Sequence, residues 1–245
     1  MRIKHDLRRL FRKLGYDISR FTPASHPLAR ARRLFEDYSI DTVLDIGANS
    51  GQFAGYLREN GFAGHILSFE PLSAAYRLLE ANAKNDPAWD VFNYALGDTA
   101  ETREINIAGN CFSSSLLDML PSHIKAAPES VYVDKEFVEV KTLDEVFDVL
   151  CNSASNIYMK IDTQGFEKNV LKGAEESLSS IDTIRMELSL SPLYDGEILF
   201  HEMYSLMEDK GYILVALESG FCDPISGQVL QVDGTWHRPA VNSLR

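Results

Sequence analysis

The sequence predicts an α/β fold in which a mostly parallel sheet carries helices on both faces. Three observations predict it. Short apolar segments alternate with segments of helical periodicity from about residue 42 onward. The first of these segments, 42–46, runs through an acid into a glycine-rich turn, and a helical segment follows at once. A second apolar segment, 65–69, ends at Glu70, so two strands place an acid at the same edge of the predicted sheet.

The N-terminal residues predict two helices joined by a linker. Residues 2–14 are expected to be helical, because apolar residues recur at helical spacing. The segment 23–27 has a proline at each end and is expected to be a linker before a second helix over 28–38. Residues 1–38 are therefore predicted to form a basic helical extension, and residues 39–245 to form one larger domain.

From residue 39 onward, short apolar and β-branched runs predict strands, and segments with apolar residues every three or four positions predict helices. The predicted strands are 42–46, 65–69, 90–94, 157–161, 182–188, 211–217 and 228–233. The predicted helices are 52–60, 73–84, 142–150, 166–179 and 198–210. The segment 98–141 interrupts this alternation with two further strands, at 101–107 and 131–140, and is expected to lie over the ligand-binding edge of the sheet.

The charge of the chain is unevenly distributed. Residues 1–33 contain ten Lys or Arg and two acids, a charge of +8, which leaves −20 for the rest of a chain whose net charge is −12. An acidic body repels phosphates and argues against nucleic-acid binding. The basic helix over 2–14 fits an anionic membrane surface, and it also fits a cap helix with solvated arginines. No apolar run approaches the roughly 18 residues of a membrane span, so we expect a cytoplasmic protein with at most peripheral contact at the inner membrane surface.

The glycine turn narrows the class of ligand. Gly47 and Gly51 are four residues apart, which matches neither the G-x-G-x-x-G pattern of dinucleotide folds nor the phosphate-binding Walker loop. Asp45 precedes the first glycine, and a carboxylate there suits a cationic ligand better than a pyrophosphate. S-adenosylmethionine carries a sulfonium and an ammonium group and has no phosphate. The turn therefore predicts a site for this methyl donor, and Glu70 is placed to hold its two ribose hydroxyls.

A second cluster of acids follows the predicted strand at 157–161. Asp162 ends that strand, and Glu187 lies near the end of the next one. If these strands are neighbours, the two carboxylates face one cleft. They are our candidate catalytic residues, as a general base for a substrate hydroxyl. The same pair would also suit a hard divalent cation such as Mg²⁺.

Five motifs of the chain belong together, and they are Val43 to Gly51, Phe69-Glu70-Pro71, Asn93 to Gly97, Ser114-Ser115-Leu116, and Lys160 to Glu167. In these motifs the chain resembles a known family, the FkbM-type methyltransferases, and the resemblance spans about residues 40 to 238. Glu187 and the stretch from Leu230 to Gly234 also resemble members that modify bacterial glycans. The resemblance implies a Rossmann-like, seven-stranded class I methyltransferase sheet with a final antiparallel hairpin. It also implies O-methyl transfer from S-adenosylmethionine.

The resemblance further implies roles for individual residues in donor binding. The residues expected to cradle the methionine part are Asp45, Gly47, Asn49 and Gly51. Glu70 is expected at the ribose, and Asn93 or Ala95 near the adenine. Many members of the family carry Glu at the position of Gln164, so no role is assigned to Gln164. The main prediction, methyl transfer to a hydroxyl, includes no metal ion.

Two other functions remain compatible with the sequence. One is an O-methyltransferase that uses a divalent metal at Asp162 and Glu187. The other is a non-catalytic adaptor with a methyltransferase fold, docked on a membrane or a protein complex through its basic helix. For the enzyme, the acceptor is expected to be a hydroxyl of a sugar, a glycan or another secondary metabolite. The sequence does not choose among these acceptors, because acceptor pockets are built from variable loops.

Overall fold

The computed structural model of the protein describes residues 9–239. The chain divides into two compact units, one ending at Ser39 and one beginning at Ile40. In the first unit, residues 9–13 are helical, so part of the predicted helix over 2–14 lies outside the described residues. Helix α1 (Pro27–Asp37) begins with a proline, and its His26 cap accepts a hydrogen bond from the Leu28 backbone. This confirms the second predicted helix.

The second unit is built on a seven-stranded sheet with the strand order β3-β2-β1-β7-β8-β10-β9. Its strands are β1 (Thr42–Ile46), β2 (His65–Phe69), β3 (Trp89–Phe92), β7 (Ile157–Ile161), β8 (Thr183–Ser189), β9 (Ile213–Ser219) and β10 (Gln231–His237). The first five in spatial order pair in parallel, and β10 pairs antiparallel with both β8 and β9. The predicted class I methyltransferase sheet with a final antiparallel hairpin is therefore confirmed.

The helices of this unit connect the strands of its two sheets. They are α2 (Gln52–Glu59), α3 (Ser73–Ala83), α4 (Pro121–Ala126), α5 (Leu143–Leu150), α6 (Glu167–Lys172) and α7 (Phe200–Asp209). The prediction of one helix over 166–179 was wrong, because α6 ends at Lys172 and a separate 3-10 turn follows at Ser177–Ser180. The carboxylate of Asp144 accepts hydrogen bonds from the backbone of Glu176 and Ser177, which holds this second segment apart from α6.

The segment that interrupts the alternation forms a small second sheet. Strands β4 (Ala95–Leu96), β5 (Glu101–Ala108) and β6 (Tyr132–Lys141) pair in the order β4-β6-β5. Strands β5 and β6 confirm the two extra strands that the sequence predicts. The short β4 and helix α4 were not predicted, because two and six residues give little periodicity to recognise. Within residues 9–239, no helix combines the length and apolar composition needed to cross a bilayer.

The register of the parallel strands positions the functional edge of the sheet. Ile46 on β1 is paired with Phe69 on β2 and with Ile161 on β7, and all three side chains are buried. The residues that follow these three positions therefore emerge side by side. This brings Gly47, Glu70 and Asp162 to one edge, although they are far apart in sequence.

Candidate active site

A cavity of about 450 Å³ opens at this edge of the sheet. The ends of β1, β2, β7 and β8 form one part of its wall, and residues between Ile105 and Leu116 form another. The insertion predicted to lie over the sheet edge thus contributes to the cavity. Of the predicted site residues, six line it, namely Gly47, Asn49, Glu70, Ala95, Asp162 and Glu187.

The glycine turn lies tightly against β7. Gly47 has φ +74°, and a Cβ at this position would lie 2.0 Å from the backbone oxygen of Asp162. Gly51 has φ +88°, and a Cβ there would lie 2.8 Å from the ring of Trp89. Both positions require glycine, because other residues rarely adopt this backbone conformation and have no space here. The backbone from Gly47 to Asn49 lines the cavity just before α2, and we call it the cradle.

Glu70 lies at the cavity with its carboxylate held by the backbone. Its Oε2 accepts a hydrogen bond from the Asn49 N–H and its Oε1 accepts one from the Leu72 N–H, each at 2.8 Å. Burial raises the pKa of Glu70 to about 7, although these two bonds and Lys160 favour the charged form. Each oxygen retains a lone pair, so the carboxylate can accept further hydrogen bonds from two vicinal hydroxyls.

Asn93 and Ala95 occupy different places. The Asn93 amide donates hydrogen bonds to the backbone oxygens of Glu70 and Pro71, at 2.9 and 3.0 Å, and does not line the cavity. Ala95 lines it together with Leu96. This wall is apolar and suits a flat aromatic group. Asn93 therefore supports the backbone beside Glu70.

Asp45 and Gly51, which the sequence predicts at the methionine part of the donor, do not line the cavity. The side chain of Asp45 is fully buried, and Ser68 donates a hydrogen bond to its Oδ2 at 3.4 Å. Its Oδ1 takes no hydrogen bond but lies 3.2 Å from the Nζ of Lys160. Because Asp45 and Lys160 are register partners on β1 and β7, their side chains meet on one face of the sheet. Asp45 thus positions Lys160.

Lys160 connects the glycine turn to the acids. Its Nζ lies 3.4 Å from Asp162 Oδ2 and donates a hydrogen bond to the Gly47 backbone oxygen at 3.0 Å. Burial alone would lower the pKa of Lys160, but Asp45 and Asp162 outweigh burial and raise it above its ordinary value. Lys160 therefore stays charged and holds β1 and β7 together beneath the cavity.

Asp162 and Glu187 meet through a third side chain. The Nε2 of Gln164 donates hydrogen bonds to Asp162 Oδ1 at 2.9 Å and to Glu187 Oε2 at 2.8 Å. Burial and the nearby carboxylates of Asp162 and Asp233 raise the pKa of Glu187 to about 8. A carboxylate with this pKa is a stronger base than an ordinary one near neutral pH. The two predicted catalytic residues therefore share one wall of the cavity.

Sequence reasoning missed the residues that organise this wall, above all Lys160, Gln164 and Tyr194. Lys160 had a signal, because it is the one charged residue within the otherwise uncharged strand 157–161. Gln164 had none of this kind, since its importance comes from its partners in space. The hydroxyl of Tyr194 donates a hydrogen bond to Gln164 Oε1 at 2.7 Å, and nothing local in sequence connects residues 30 positions apart.

Backbone strain is concentrated around the cavity. Within residues 9–239, four residues other than glycine have positive φ, and three of them line the cavity. These three are Asn49 (φ +50°), Cys111 (φ +62°) and Gln164 (φ +54°). Such conformations cost free energy and persist where the surrounding structure enforces them, as at binding sites. The Asn49 amide joins two of them, because it donates a hydrogen bond to the Cys111 backbone oxygen at 2.8 Å.

The comparison with known families agrees with this geometry. The model of the FkbM methyltransferase domain matches residues 45–214, which is more than half of the chain. The chain belongs to the FkbM methyltransferase family. The family resemblance seen in the sequence is therefore confirmed, and S-adenosylmethionine is the methyl donor.

The residues at the cavity fit this donor. The backbone cradle from Gly47 to Asn49 lines the cavity, the carboxylate of Glu70 has lone pairs for ribose hydroxyls, and the acids near Asp162 suit a sulfonium cation. Within the part of the chain that the structure describes, no group of three or more His, Cys, Asp or Glu is arranged to hold a metal ion.

Individual relatives are distant. A protein named Methyltransferase 1 from Beauveria bassiana is 23% identical over 196 residues, which cover 74% of this chain and 76% of the relative. Among solved structures, TehB from Haemophilus influenzae is 11% identical with a TM-score of 0.46, covering 86% of this chain and 62% of TehB. A protein of the NADB-Rossmann superfamily from Streptococcus agalactiae is 9% identical with a TM-score of 0.45, covering 86% and 69%. Neither structural likeness is close enough to carry an argument about function.

Proposed function

We propose that this protein transfers the methyl group of S-adenosylmethionine to a hydroxyl of a sugar or glycan, or of another secondary metabolite. The observation that supports this best is the position of Asp162 and Glu187. Both line the same cavity as Gly47 and Glu70, so a base and a donor cradle face one space. General base assistance is the chemistry that methylation of a hydroxyl requires and methylation of a thiolate does not.

In this proposal, Gly47 and Asn49 hold the methionine part of the donor, Glu70 holds the ribose, and Ala95 contacts the adenine. The bound donor supplies a methyl group on a positively charged sulfur, open to in-line displacement by the acceptor oxygen. Glu187, or Asp162 beside it, takes the proton of the attacking hydroxyl. The other residues contribute mainly by holding these groups in line, which is the larger part of catalysis in such a displacement.

The charge of the cavity wall favours a neutral acceptor. Two cationic side chains, Lys160 and Arg185, face four carboxyl groups there, those of Glu70, Asp162, Glu187 and Asp233. An acceptor with a phosphate near the methyl group would be repelled. Phe112 also lines the cavity and is 66% exposed, so its ring is available to pack against the apolar face of a sugar.

The proposal is tested by turnover and donor binding measured on the same variants. With a panel of glycoside and polyketide alcohols, we expect Glu187→Gln to lower the rate of S-adenosylhomocysteine formation by about 10²-fold or more. Its affinity for S-adenosylmethionine in calorimetry should change by less than about threefold. Asp162→Asn is measured in parallel, and Glu129→Gln, an exposed carboxyl outside the cavity wall, is the control. Unchanged turnover in both Glu187→Gln and Asp162→Asn would exclude them as the base.

The metal-dependent alternative is separated by chelation. If Asp162 and Glu187 hold Mg²⁺, dialysis against EDTA abolishes turnover and added Mg²⁺ restores it. We expect EDTA to have no effect, because the Gln164 amide donates to both carboxylates at the point where a shared cation would be bound.

For location, we propose a cytoplasmic protein whose basic N-terminal segment contacts the inner membrane surface. Sedimentation with anionic liposomes tests this proposal. Charge reversal at Arg9, Arg12 and Lys13 should release the protein, since each basic residue contributes about 1 kcal/mol near such a surface. Turnover that persists in the reversed variant would also exclude the adaptor alternative.

A further inference from the structure

We propose that Gln164 is a positioning residue for the base, oriented by Tyr194, and that its amide sets the protonation of Glu187. This inference rests on the proposed function, because it concerns how the same wall of the cavity is prepared for taking a proton. It assigns a role to a residue that is neutral and cannot itself accept the proton.

The hydrogen-bond pattern of Gln164 fixes which way its amide faces. The Nε2 group has two hydrogens, and each is used by one carboxylate, Asp162 or Glu187. The Oε1 accepts a hydrogen bond from the Tyr194 hydroxyl at 2.7 Å, which is shorter than the 3.4 Å from that hydroxyl to the Ser113 backbone oxygen. The flipped amide would turn an oxygen toward two carboxylates, which is repulsive. The observed orientation is therefore the favourable one, and it uses both amide hydrogens and one lone pair of the amide oxygen.

The backbone conformation at Gln164 and Gly165 positions this amide. Gln164 has φ +54° and the next residue, Gly165, has φ +97°, so two successive residues are in the left-handed region. The Ser115 hydroxyl donates a hydrogen bond to the Gln164 backbone oxygen at 2.7 Å. A Cβ at Gly165 would lie 3.0 Å from the Cβ of Tyr194, so the turn packs directly against that tyrosine. A strained turn held at several points indicates a site whose geometry matters.

The surroundings of Glu187 explain why a donor is needed there. The charged groups that act on it are carboxylates from three different elements, those of Asp162, Glu167 and Asp233. Tyr194 also faces it. Burial and these acids favour the protonated form of Glu187, whereas the Gln164 N–H favours the charged form. Gln164 thus holds the carboxyl near a pKa at which it can both take and release a proton.

The test compares pH profiles in three variants of the full-length protein. Gln164→Leu removes both donated bonds, so the rise of kcat with pH should move upward by about one to two pH units, the size of a hydrogen bond to a charged group. Tyr194→Phe frees the amide to rotate and should shift the profile in the same direction by less. Tyr212→Phe is the matched control, because Tyr212 is equally buried and its hydroxyl donates to backbone oxygens of the core instead.

A second measurement does not depend on activity. The Glu187 carboxyl is titrated by carbon NMR in the unloaded protein, with Glu187→Gln used for assignment, and its pKa should rise in Gln164→Leu and stay unchanged in Tyr212→Phe. An unchanged Glu187 pKa in both Gln164→Leu and Tyr194→Phe overturns the inference. If that pKa moves while Glu187→Gln retains full turnover, Gln164 tunes Glu187 as inferred and the proposed base is the part that fails. If Gln164→Leu does not fold, Tyr194→Phe decides the outcome alone.

Discussion

The buried ion pair beneath the cavity gives the most quantitative prediction. Lys160→Met keeps the length and most of the volume of the side chain but removes its charge. The carboxylate of Asp45, which is fully buried, then loses the ammonium group 3.2 Å away. Breaking a buried pair in this way costs about 3–5 kcal/mol of unfolding free energy.

An independent limit on this cost comes from protonation. Asp45 can escape the penalty by binding a proton, and keeping a carboxyl with an ordinary pKa near 3.9 protonated at pH 7 costs about 4 kcal/mol. At pH 5 the same step costs only about 1.5 kcal/mol. Lower pH should therefore restore stability to the variant, because protonation removes the unpaired buried charge.

The assay is urea unfolding of the wild type and the variant at pH 7 and pH 5. We expect the deficit in unfolding free energy to shrink from about 4 to about 1.5 kcal/mol between these values. The double variant Lys160→Met with Asp45→Asn removes the unpaired charge and should recover most of the loss at pH 7. The argument is refuted by a deficit that is below about 1 kcal/mol and independent of pH, or by a double variant no more stable than the single one.

Three further predictions concern the cavity wall. Gly47→Ala places a Cβ 2.0 Å from the Asp162 backbone oxygen, so donor binding in calorimetry should be lost; retained affinity would contradict the cradle. Burial raises the pKa of Glu167 to about 7 and of Glu187 to about 8. The stability that these two neutral carboxyls contribute is fully present below the ordinary Glu pKa and is lost as the pH rises through the folded-state values, so Tm should fall between about pH 4.5 and pH 8. Glu167→Gln should flatten the part of this fall below about pH 7. Gln164→Glu adds a third carboxylate beside Asp162 and Glu187 and should create Mn²⁺ binding, which calorimetry would detect; no binding would mean the three oxygens cannot converge.

Much of the fold follows from local patterns. The strands 42–46, 65–69 and 157–161 were predicted at their observed bounds, because a short β-branched run between turn signals leaves few alternatives. The final hairpin was correctly expected from the family resemblance, although its last strand lies about three residues later than predicted. The helix over 166–179 was predicted too long. Asp144 accepts a hydrogen bond from the backbone of Ser177, and the local sequence pattern does not predict this contact.

The sequence by itself determined the class of the site. A strand that ends in an acid and a glycine turn, followed by Glu70 at the end of the next strand, is a local pattern with few structural uses, and it identified the methyl donor. The positive φ of Gly47 is likewise a local property, because a tight turn after a strand favours glycine at such a position.

Only the tertiary structure decided which acids face the cavity. Asp45 and Asp162 both end strands, yet Asp45 is fully buried against Lys160 and only Asp162 lines the cavity with Glu187. Side chains alternate between the two faces of a strand, and the partner on each face is set by register with strands far away in sequence. The pairing of Gln164 with Glu187 and Tyr194 arises in the same way, since hydrogen bonds depend on positions in space that chain order does not encode.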